Sequence, residues 1–262
     1  MANYDIVGNI AIVKFDEKTK AREKKKIADV ILKEHKSVKT VLEKKDRIKG
    51  RLRTPTTQWV LGEKTKEALY KENGCIFRFN VDSCYFSPRL STERREIAES
   101  VKKKEKVLVM FGGVAPFAIA IAKLSKPESV VSVELGKNCY KYAKENVKLN
   151  KVNNLEVFQG DVRRILGSGK KINEKFDRIV MARPNLRDSF LDIAFSVIKK
   201  KGMIHYYGFG SVEDVETNSC LKELVKAEAE KAGRKIKIVN MKRAGDIAPY
   251  KYRYRVDFRV LD

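Results

Sequence analysis

The chain has 262 residues, enough for one large domain or two unequal ones, and 43% of them are apolar, which supports a globular core. Its 57 Lys and Arg residues against 34 Asp and Glu residues give a formal net charge of +23, which favours a polyanionic partner such as nucleic acid. A lysine-rich surface that serves only solubility is the alternative explanation. The sequence shows no signal peptide and no apolar run of about 18 residues, so we exclude a membrane-spanning protein and expect a cytoplasmic one.

Residues 1–86 predict a small α+β domain. In chain order we expect two strands around the Gly8-Asn9 turn in 4–15, a helix in 17–35 and a strand in 38–42. The segment QWVLG, a polar helix-like piece, and strands in CIFRFNVDSCYFS follow. The cysteines Cys75, Cys84, Cys139 and Cys220 form no C-x-x-C pair, which predicts reduced thiols and no metal site. A disulfide between Cys75 and Cys84 stays open as an alternative.

Residues 87–262 predict a larger α/β domain that starts with a helix, which Ser91 or Thr92 could cap. Short apolar runs then alternate with helical stretches, and this spacing predicts a parallel sheet with helices on both faces. The runs lie at 107–111, 130–134, 155–158, 178–182 and 203–207, and a long alternating hairpin ends the chain. This doubly wound layout resembles the Rossmann-like fold of the class I methyltransferases.

Three features at the ends of the predicted strands favour a bound ligand. The turn Phe111-Gly112-Gly113-Val114 follows the first strand and allows a close approach to the backbone. Glu134 ends the second strand, where an acid can accept from ribose hydroxyls, and Asp161 follows the third. Each acid alone could merely cap a helix, but the ordered set predicts a site at the carboxyl edge of the sheet.

Four segments carry a closer resemblance: VMFGGVAPFAIAIAK, VVSVELGKNCYKYAKENVKLNKV, GDVRRI and YFSPRLSTER. They resemble the archaeal and eukaryotic tRNA guanine-37 N1-methyltransferases, a family that includes the wybutosine-pathway aminocarboxypropyl transferase. The chain departs from the family's F-A-G-V-G-P-F turn at Gly112 and Ala115. It is similar to the archaeal short form, which lacks an extra N-terminal domain.

The resemblance implies S-adenosylmethionine as cofactor and tRNA as partner. The RNA would contact residues 1–86 and place the anticodon-loop purine at position 37 in the site, and the protein would act as a monomer. The positions that match cofactor-binding residues of the family are Arg89, Phe111, Gly112, Gly113, Val114, Glu134, Asp161 and Ala182. The basic, aromatic-containing final strand would lie on the RNA side.

The resemblance also assigns the reacting residues. Glu93 matches the general base, although an acid in the first turn of a helix is also favoured by the helix dipole. Arg53 matches an arginine that holds the guanine O6, and Arg51 competes for that role. Pro184 matches the proline of an N-L-P or N-P-P tripeptide that orients the base. We expect His205, in contrast, to be a buried and satisfied strand residue.

The loop after the fourth strand departs from the family, because Ala182 stands where asparagine is expected. Alanine cannot hydrogen-bond the base, so that role would pass to the backbone, Arg183 or Asn185. The predicted function is methylation of N1 of guanine 37 in tRNA. The alternatives are wyosine-pathway transfer, either C7-methylation of 4-demethylwyosine or aminocarboxypropyl transfer, and a non-catalytic tRNA-binding protein.

Overall fold

The computed structural model describes residues 3–45, 56–167, 171–182, 188–210, 220–248 and 250–262, without the side chains of 247 and 248. Thirteen strands lie within these residues: β1 Asn3–Val7, β2 Ile10–Lys14, β3 Thr40–Lys44, β4 Thr57–Gly62, β5 Glu67–Glu72, β6 Cys75–Asn80, β7 Lys106–Met110, β8 Ser129–Glu134, β9 Leu155–Gln159, β10 Phe176–Met181, β11 Ile198–Gly210, β12 Ile236–Ala248 and β13 Lys251–Val260.

Seven α-helices are described in the same residues: α1 Ala21–Glu34, α2 Ser91–Ser100, α3 Pro116–Leu124, α4 Lys137–Leu149, α5 Val162–Leu166, α6 Leu191–Val197 and α7 Cys220–Lys231. None of the described helices is long and apolar enough to cross a membrane.

The larger sheet has seven strands in the order β12-β13-β11-β10-β7-β8-β9. Strands β7 to β11 run parallel, and β13 pairs antiparallel with β11. Two apolar cores cover its faces, one beneath α2, α3 and α4 and the other beneath α5, α6 and α7. The predicted doubly wound α/β fold with a late hairpin is therefore confirmed.

The N-terminal part forms a separate four-stranded sheet in the order β1-β2-β3-β4, with a core of its own beneath α1. Its first hairpin turns at Gly8, whose φ angle of 61° suits glycine. The predicted strands in 4–15 and 38–42 and the helix in 17–35 are all found at these places.

The prediction of a helix-like piece after QWVLG is wrong, because Glu67–Glu72 is strand β5 and pairs with β6. The sequence EALYKE alternates in burial, and it is followed by an Asn73-Gly74 turn in which both residues have positive φ angles. Asn-Gly is a strong hairpin signal, which the helical interpretation overlooked. The predicted caps of α2 are wrong too, because a 3-10 turn, Pro88–Leu90, leads directly into the helix and the N-cap is Leu90.

Asn146 of α4 and Asn150, which caps the C-terminus of that helix, fasten the β5–β6 hairpin to the larger sheet. Asn150 exchanges hydrogen bonds with the backbone of Ile76, and Asn146 does the same with Arg78. Asn146 also donates to the carbonyl oxygen of Val114 at 3.1 Å. The side-chain amides therefore bind backbone groups of β6 that a neighbouring strand would otherwise bind. Asn146 also holds the turn after β7 in place.

Candidate active site

A cavity lies at the carboxyl ends of the parallel strands, where β7 has β8 on one side and β10 on the other. In a doubly wound sheet the connections diverge to opposite faces at this point and leave a crevice for a ligand. Six of the residues that the sequence predicted for the cofactor line the cavity: Phe111, Gly112, Gly113, Glu134, Asp161 and Ala182.

The turn after β7 is tight because three of its residues have left-handed backbone conformations. The φ angles of Phe111, Gly113 and Ala115 are 61°, 58° and 67°. A Cβ atom at Gly113 would have the Tyr85 carbonyl oxygen, 3.9 Å away, as its nearest neighbour. The missing side chain therefore leaves free space through which a ligand can approach the backbone.

Glu134 ends β8 and lines the cavity. Its two oxygens accept hydrogen bonds from the backbone N–H groups of Gly113, at 2.7 Å, and Gly136, at 2.6 Å. Burial raises the pKa of this carboxyl above its usual value, although both hydrogen bonds favour the charged form. The contact with Gly113 ties the acid to the glycine turn, so the two predicted elements form one unit.

Asp161 has two roles in the structure. Its side chain caps α5 by accepting from the backbone N–H of Arg163 at 2.9 Å, and it also lines the cavity beside Gly160 and Val162. Capping and ligand binding, which compete as explanations at the level of sequence, are therefore compatible here.

The remaining predicted residues fall elsewhere. Val114 is fully buried behind the turn and does not line the cavity. Arg89 lines a neighbouring cleft, where its guanidinium lies 3.1 Å from the Asp5 carboxylate of β1. Arg53 and Pro184 lie outside the described residues.

Glu93 lies in the first turn of α2, is 5% exposed and does not itself line the cavity. Its Oε1 atom is 2.7 Å from Lys242 Nζ, and its Oε2 atom accepts from Arg255 Nη1 at 2.6 Å. The Tyr207 hydroxyl donates to the same Oε2 atom at 3.0 Å. Tyr207 does line the cavity, so it stands between Glu93 and the ligand space.

The three donors to Glu93 come from three neighbouring strands. Tyr207 of β11 pairs with Arg255 of β13, and Arg255 pairs with Lys242 of β12. Because partners across a sheet share a face, all three side chains point towards α2. The C-terminal hairpin is thereby joined to the helix that carries Glu93.

Arg94, the next residue of α2, is almost fully buried and lines the cavity. It forms a bidentate ion pair with Glu72 of β5 and donates to the Ser87 carbonyl oxygen at 3.0 Å. Its guanidinium also stacks on Phe86, 5.0 Å from the ring centroid. These contacts fix the segment of Tyr85 to Leu90 that forms one wall of the cavity.

A second cleft adjoins the cavity and runs between the N-terminal sheet and the C-terminal hairpin. The two spaces share the segment of Tyr85 to Ser87, Leu90 and Arg253 as a common wall. Basic side chains outnumber acidic ones along the cleft, where Lys14, Lys44, Arg89 and Arg253 stand against Asp5 and Asp246. This basic approach to an apolar cavity suits a ligand that is part of a longer anionic chain.

Sequence reasoning missed several cavity residues that carry polar groups, namely Arg94, Tyr207 and Arg253. Arg94 follows directly after the predicted base, and Tyr207 lies at the end of a predicted strand, so position along the chain was a usable signal. Arg253 belongs to the final strand, which the resemblance places on the RNA side, but only the pairing of β13 with β11 brings this residue to the cavity.

His205 belongs to a separate buried cluster and not to the cavity. Its Nδ1 atom lies 2.6 Å from Asp257, and its Nε2 atom lies 2.6 Å from Arg178. Burial lowers the pKa of His205 below its usual value, and Asp257 opposes this shift. The sequence-based expectation of a buried, satisfied residue agrees with these contacts. All four cysteines are free thiols, so the pairing of Cys75 with Cys84 does not form.

The residues of the cavity fit a nucleoside cofactor such as S-adenosylmethionine. Carboxylates at the ends of β8 and β9 can accept from ribose hydroxyls and an adenine amino group. The apolar side chains beside these acids can enclose a planar base: Val133, Leu135, Val162 and Phe190. The free space at Gly113 leaves the backbone accessible to the rest of the molecule.

Comparison with known families gives a match over nearly the whole chain. Residues 68–239 match the model of the TRM5/TYW2 methyltransferase domain, and residues 1–65 match that of the TYW2 N-terminal domain. The tRNA (guanine(37)-N(1))-methyltransferase Trm5b of Pyrococcus abyssi is 39% identical over 98% of this chain and 74% of its own length. The tRNA (guanine(37)-N(1))/4-demethylwyosine(37)-methyltransferase Taw22 of Nanoarchaeum equitans is 34% identical over 99% of this chain and all of its own length.

Solved structures show the same likeness. Trm5b from Pyrococcus abyssi superposes with a TM-score of 0.86 at 38% identity, over 99% of this chain and 75% of that one. A complex of aTrm5 with tRNALeu gives 0.82 at 27% identity, over 99% and 72%. TYW2 of M. jannaschii in complex with AdoMet gives 0.74 at 26% identity, over 99% of both chains.

Proposed function

Because this chain belongs to the TRM5/TYW2 methyltransferase family, we propose that it transfers a methyl group from S-adenosylmethionine to N1 of guanine 37 in tRNA. The observation that carries the proposal is that Gly113, Glu134 and Asp161 line one cavity, and that this cavity adjoins a basic cleft. The relative in Pyrococcus abyssi, which is the more similar of the two reported above, bears the name of this activity.

The cofactor would supply an electrophilic methyl group on a sulfonium, which N1 of the guanine accepts as the S–CH3 bond breaks. The chain would hold the two reactants in line, and such positioning is a large part of the rate. Glu134 and Asp161 would bind the nucleoside end of the cofactor. The target guanine would enter from the cleft, past Tyr85 and Arg253.

The guanidinium of Arg253 lies at the entrance of the cavity, where its Nη2 atom is 3.4 Å from the Tyr85 hydroxyl. Negative charge develops on the guanine O6 as N1 loses its proton, and a fixed cation stabilises it. Arg53, assigned to this task by resemblance, remains a proposal, as does the orienting role of Pro184. We further propose Glu93 as the final acceptor of the N1 proton.

The test is incubation of the protein with unmodified tRNA and methyl-labelled S-adenosylmethionine, followed by nucleoside mass spectrometry. We expect label in 1-methylguanosine from the anticodon loop, and none when position 37 of the transcript is adenosine. Failure to label the guanosine transcript, with the cofactor bound and the tRNA bound, would contradict the proposal.

C7-methylation of 4-demethylwyosine is the second candidate, and two observations favour it. Ala182 lines the cavity where the family asparagine is expected. The Nanoarchaeum equitans relative, whose name includes this activity, matches over its whole length. Label that appears only on tRNA already carrying the tricyclic precursor would establish this function and exclude the first.

A further inference from the structure

Tyr207 occupies the position beside Ala182. Met181, the last residue of β10, pairs with Tyr206 of β11, so Ala182, which follows β10, lies next to Tyr207, which continues β11. Both line the cavity, and both belong to the same apolar core. The phenol therefore stands next to the place where the sequence lacks the asparagine that would orient the target base.

The hydroxyl of Tyr207 is oriented by its neighbours. It donates its proton to Glu93 Oε2 at 3.0 Å, and Arg255, its partner across β11 and β13, donates to the same oxygen. A phenol that donates its own proton can still accept through its oxygen. The ring is held against Phe117, with 5.7 Å between the centroids, so the hydroxyl has little freedom to turn away.

Glu93 does not line the cavity, whereas Tyr207, although almost fully buried, does. Three donors already bind its two oxygens: Lys242, Arg255 and Tyr207. Of these three, Tyr207 is the one that lines the cavity. A proton that leaves the target base has a short path to Glu93 through this hydroxyl.

On the basis of the proposed function, we infer that Tyr207 is a catalytic residue that accepts the N1–H hydrogen bond of the target guanine and relays the proton to Glu93. As N1 is methylated, the N1–H bond breaks and a new Oη–H bond forms on Tyr207. The original Oη–H bond breaks at the same time, and its proton forms an Oε2–H bond on Glu93. The phenol begins and ends neutral, which suits a buried tyrosine whose pKa is raised by desolvation.

The test is Tyr207→Phe, which keeps the ring but removes the relay. We expect unchanged binding of S-adenosylmethionine and tRNA, and a single-turnover methylation rate reduced by about 10²-fold or more, the usual contribution of a general base. Without the relay only guanine that has already lost its N1 proton reacts, so the rate of the variant should rise about tenfold per pH unit below the pKa of N1. The wild-type rate should depend less steeply on pH.

The matched control is Tyr206→Phe, the same change on the adjacent residue, whose side chain lies in the core on the opposite face of the sheet. Its rate and pH dependence should follow the wild type. Glu93→Gln, which removes the end of the relay, should show the steep pH dependence of Tyr207→Phe, and the double variant should be no slower than the slower single one.

Two results would overturn the inference. One is a Tyr207→Phe rate within about threefold of wild type at every pH, and the other is a slower rate with the wild-type pH dependence, which would indicate a packing role only. If Tyr207→Phe does not fold, a wild-type pH dependence in Glu93→Gln overturns the inference instead. A wild type that leaves N1 of guanine 37 unmethylated contradicts the proposed function itself, and the relay with it.

Discussion

Gly112 lies at the point where the glycine turn touches β8, and the space beside it is filled. A Cβ atom at this position would stand 2.1 Å from the hydroxyl oxygen of Ser132. Ser132 is fully buried, and within the described part of the chain its hydroxyl has no hydrogen-bond partner. The departure from the family's alanine at this turn is therefore linked to a serine on the neighbouring strand, which the sequence alone did not connect to it.

We expect Gly112→Ala to lower the free energy of unfolding by about 1–3 kcal/mol, the usual cost of overpacking a core. Adding Ser132→Ala should restore most of the stability, because the new Cβ would then lie 3.5 Å from the Cβ of residue 132, an ordinary contact. Urea unfolding of both variants measures this. Ser132→Ala alone serves as control and should be neutral or stabilising, since it removes an unsatisfied hydroxyl. A Gly112→Ala protein as stable as wild type would contradict this, because it would show that the Ser132 side chain moves aside without any loss of stability.

At the scale of elements, α4 carries the segment KENVKLNK that is typical of the family, and its two asparagines act as structural connectors. Asn146 is fully buried and bonds to the backbone of β6 and of the glycine turn. The pattern was a signal of family, but its physical role became visible only with the hairpin in place.

Asn146→Ala should lower the free energy of unfolding by about 2–4 kcal/mol, because buried backbone groups of Arg78 and Val114 lose their partners. Affinity for S-adenosylmethionine should fall as well, since the glycine turn loses a support. Chemical unfolding and calorimetric titration measure the two effects. Asn154→Ala is the matched control: its only described side-chain hydrogen bond is a 3.4 Å bond to Pro127, and it should change stability by less than about 0.5 kcal/mol. Equal effects of the two variants would contradict the connector role.

Strands β10, β11 and β13 are joined by Arg178, His205 and Asp257, and this cluster makes stability depend on pH. The folded pKa of His205 lies below its usual value of 6.5, so the unfolded chain takes up the proton first as the pH falls. The stabilisation is complete above about pH 6.5 and declines by about 1.4 kcal/mol per pH unit below it, until the folded pKa is reached. Asp257 does not change this pH dependence between pH 6.5 and 5, because its own pKa is lowered and its carboxylate stays ionised there.

His205→Gln should therefore flatten the fall in unfolding free energy between pH 6.5 and 5, although it lowers stability at neutral pH. Unfolding in urea at a series of pH values measures the slope of the unfolding free energy against pH. In the difference between wild type and variant, the contributions of the other titrating groups cancel. His35→Gln changes the only other histidine of the chain and should keep the wild-type slope. A slope that survives in His205→Gln would assign the pH dependence to another group.

At the scale of the whole molecule, part of the excess positive charge lies along the cleft between the two sheets. The N-terminal sheet supplies Lys14 and Lys44 to one side, and the methyltransferase part supplies Arg89 and Arg253 to the other. We propose that the β5–β6 hairpin belongs with the methyltransferase part, because it is fastened to α4. The boundary would then fall near the break between the two family models, at residues 65 to 68, and not at residue 86.

Reversing two charges of the cleft, in Lys14→Glu with Lys44→Glu, should weaken tRNA binding and leave binding of S-adenosylmethionine unchanged. The plot of log affinity against log salt concentration should become less steep by about 0.9 for each phosphate that the protein no longer neutralises. The control pair is Lys200→Glu with Lys226→Glu, two exposed residues at the amino end of β11 and on α7, which do not line the cleft. An equal decrease in affinity for both pairs would show that total charge, and not the cleft, governs RNA binding.

The alternation of strands and helices in the larger domain, the glycine turn and the acids at 134 and 161 were determined by the sequence, because apolar periodicity and strand ends are local properties of the chain. The family segments added the identity of the cofactor and the partner. Only the tertiary structure decided that Tyr207 separates Glu93 from the cavity and that Arg253 reaches its entrance. Those contacts depend on the pairing of β11 with β13 and on the packing of α2 across both, and pairing between segments far apart in the chain leaves no periodic signal in either one.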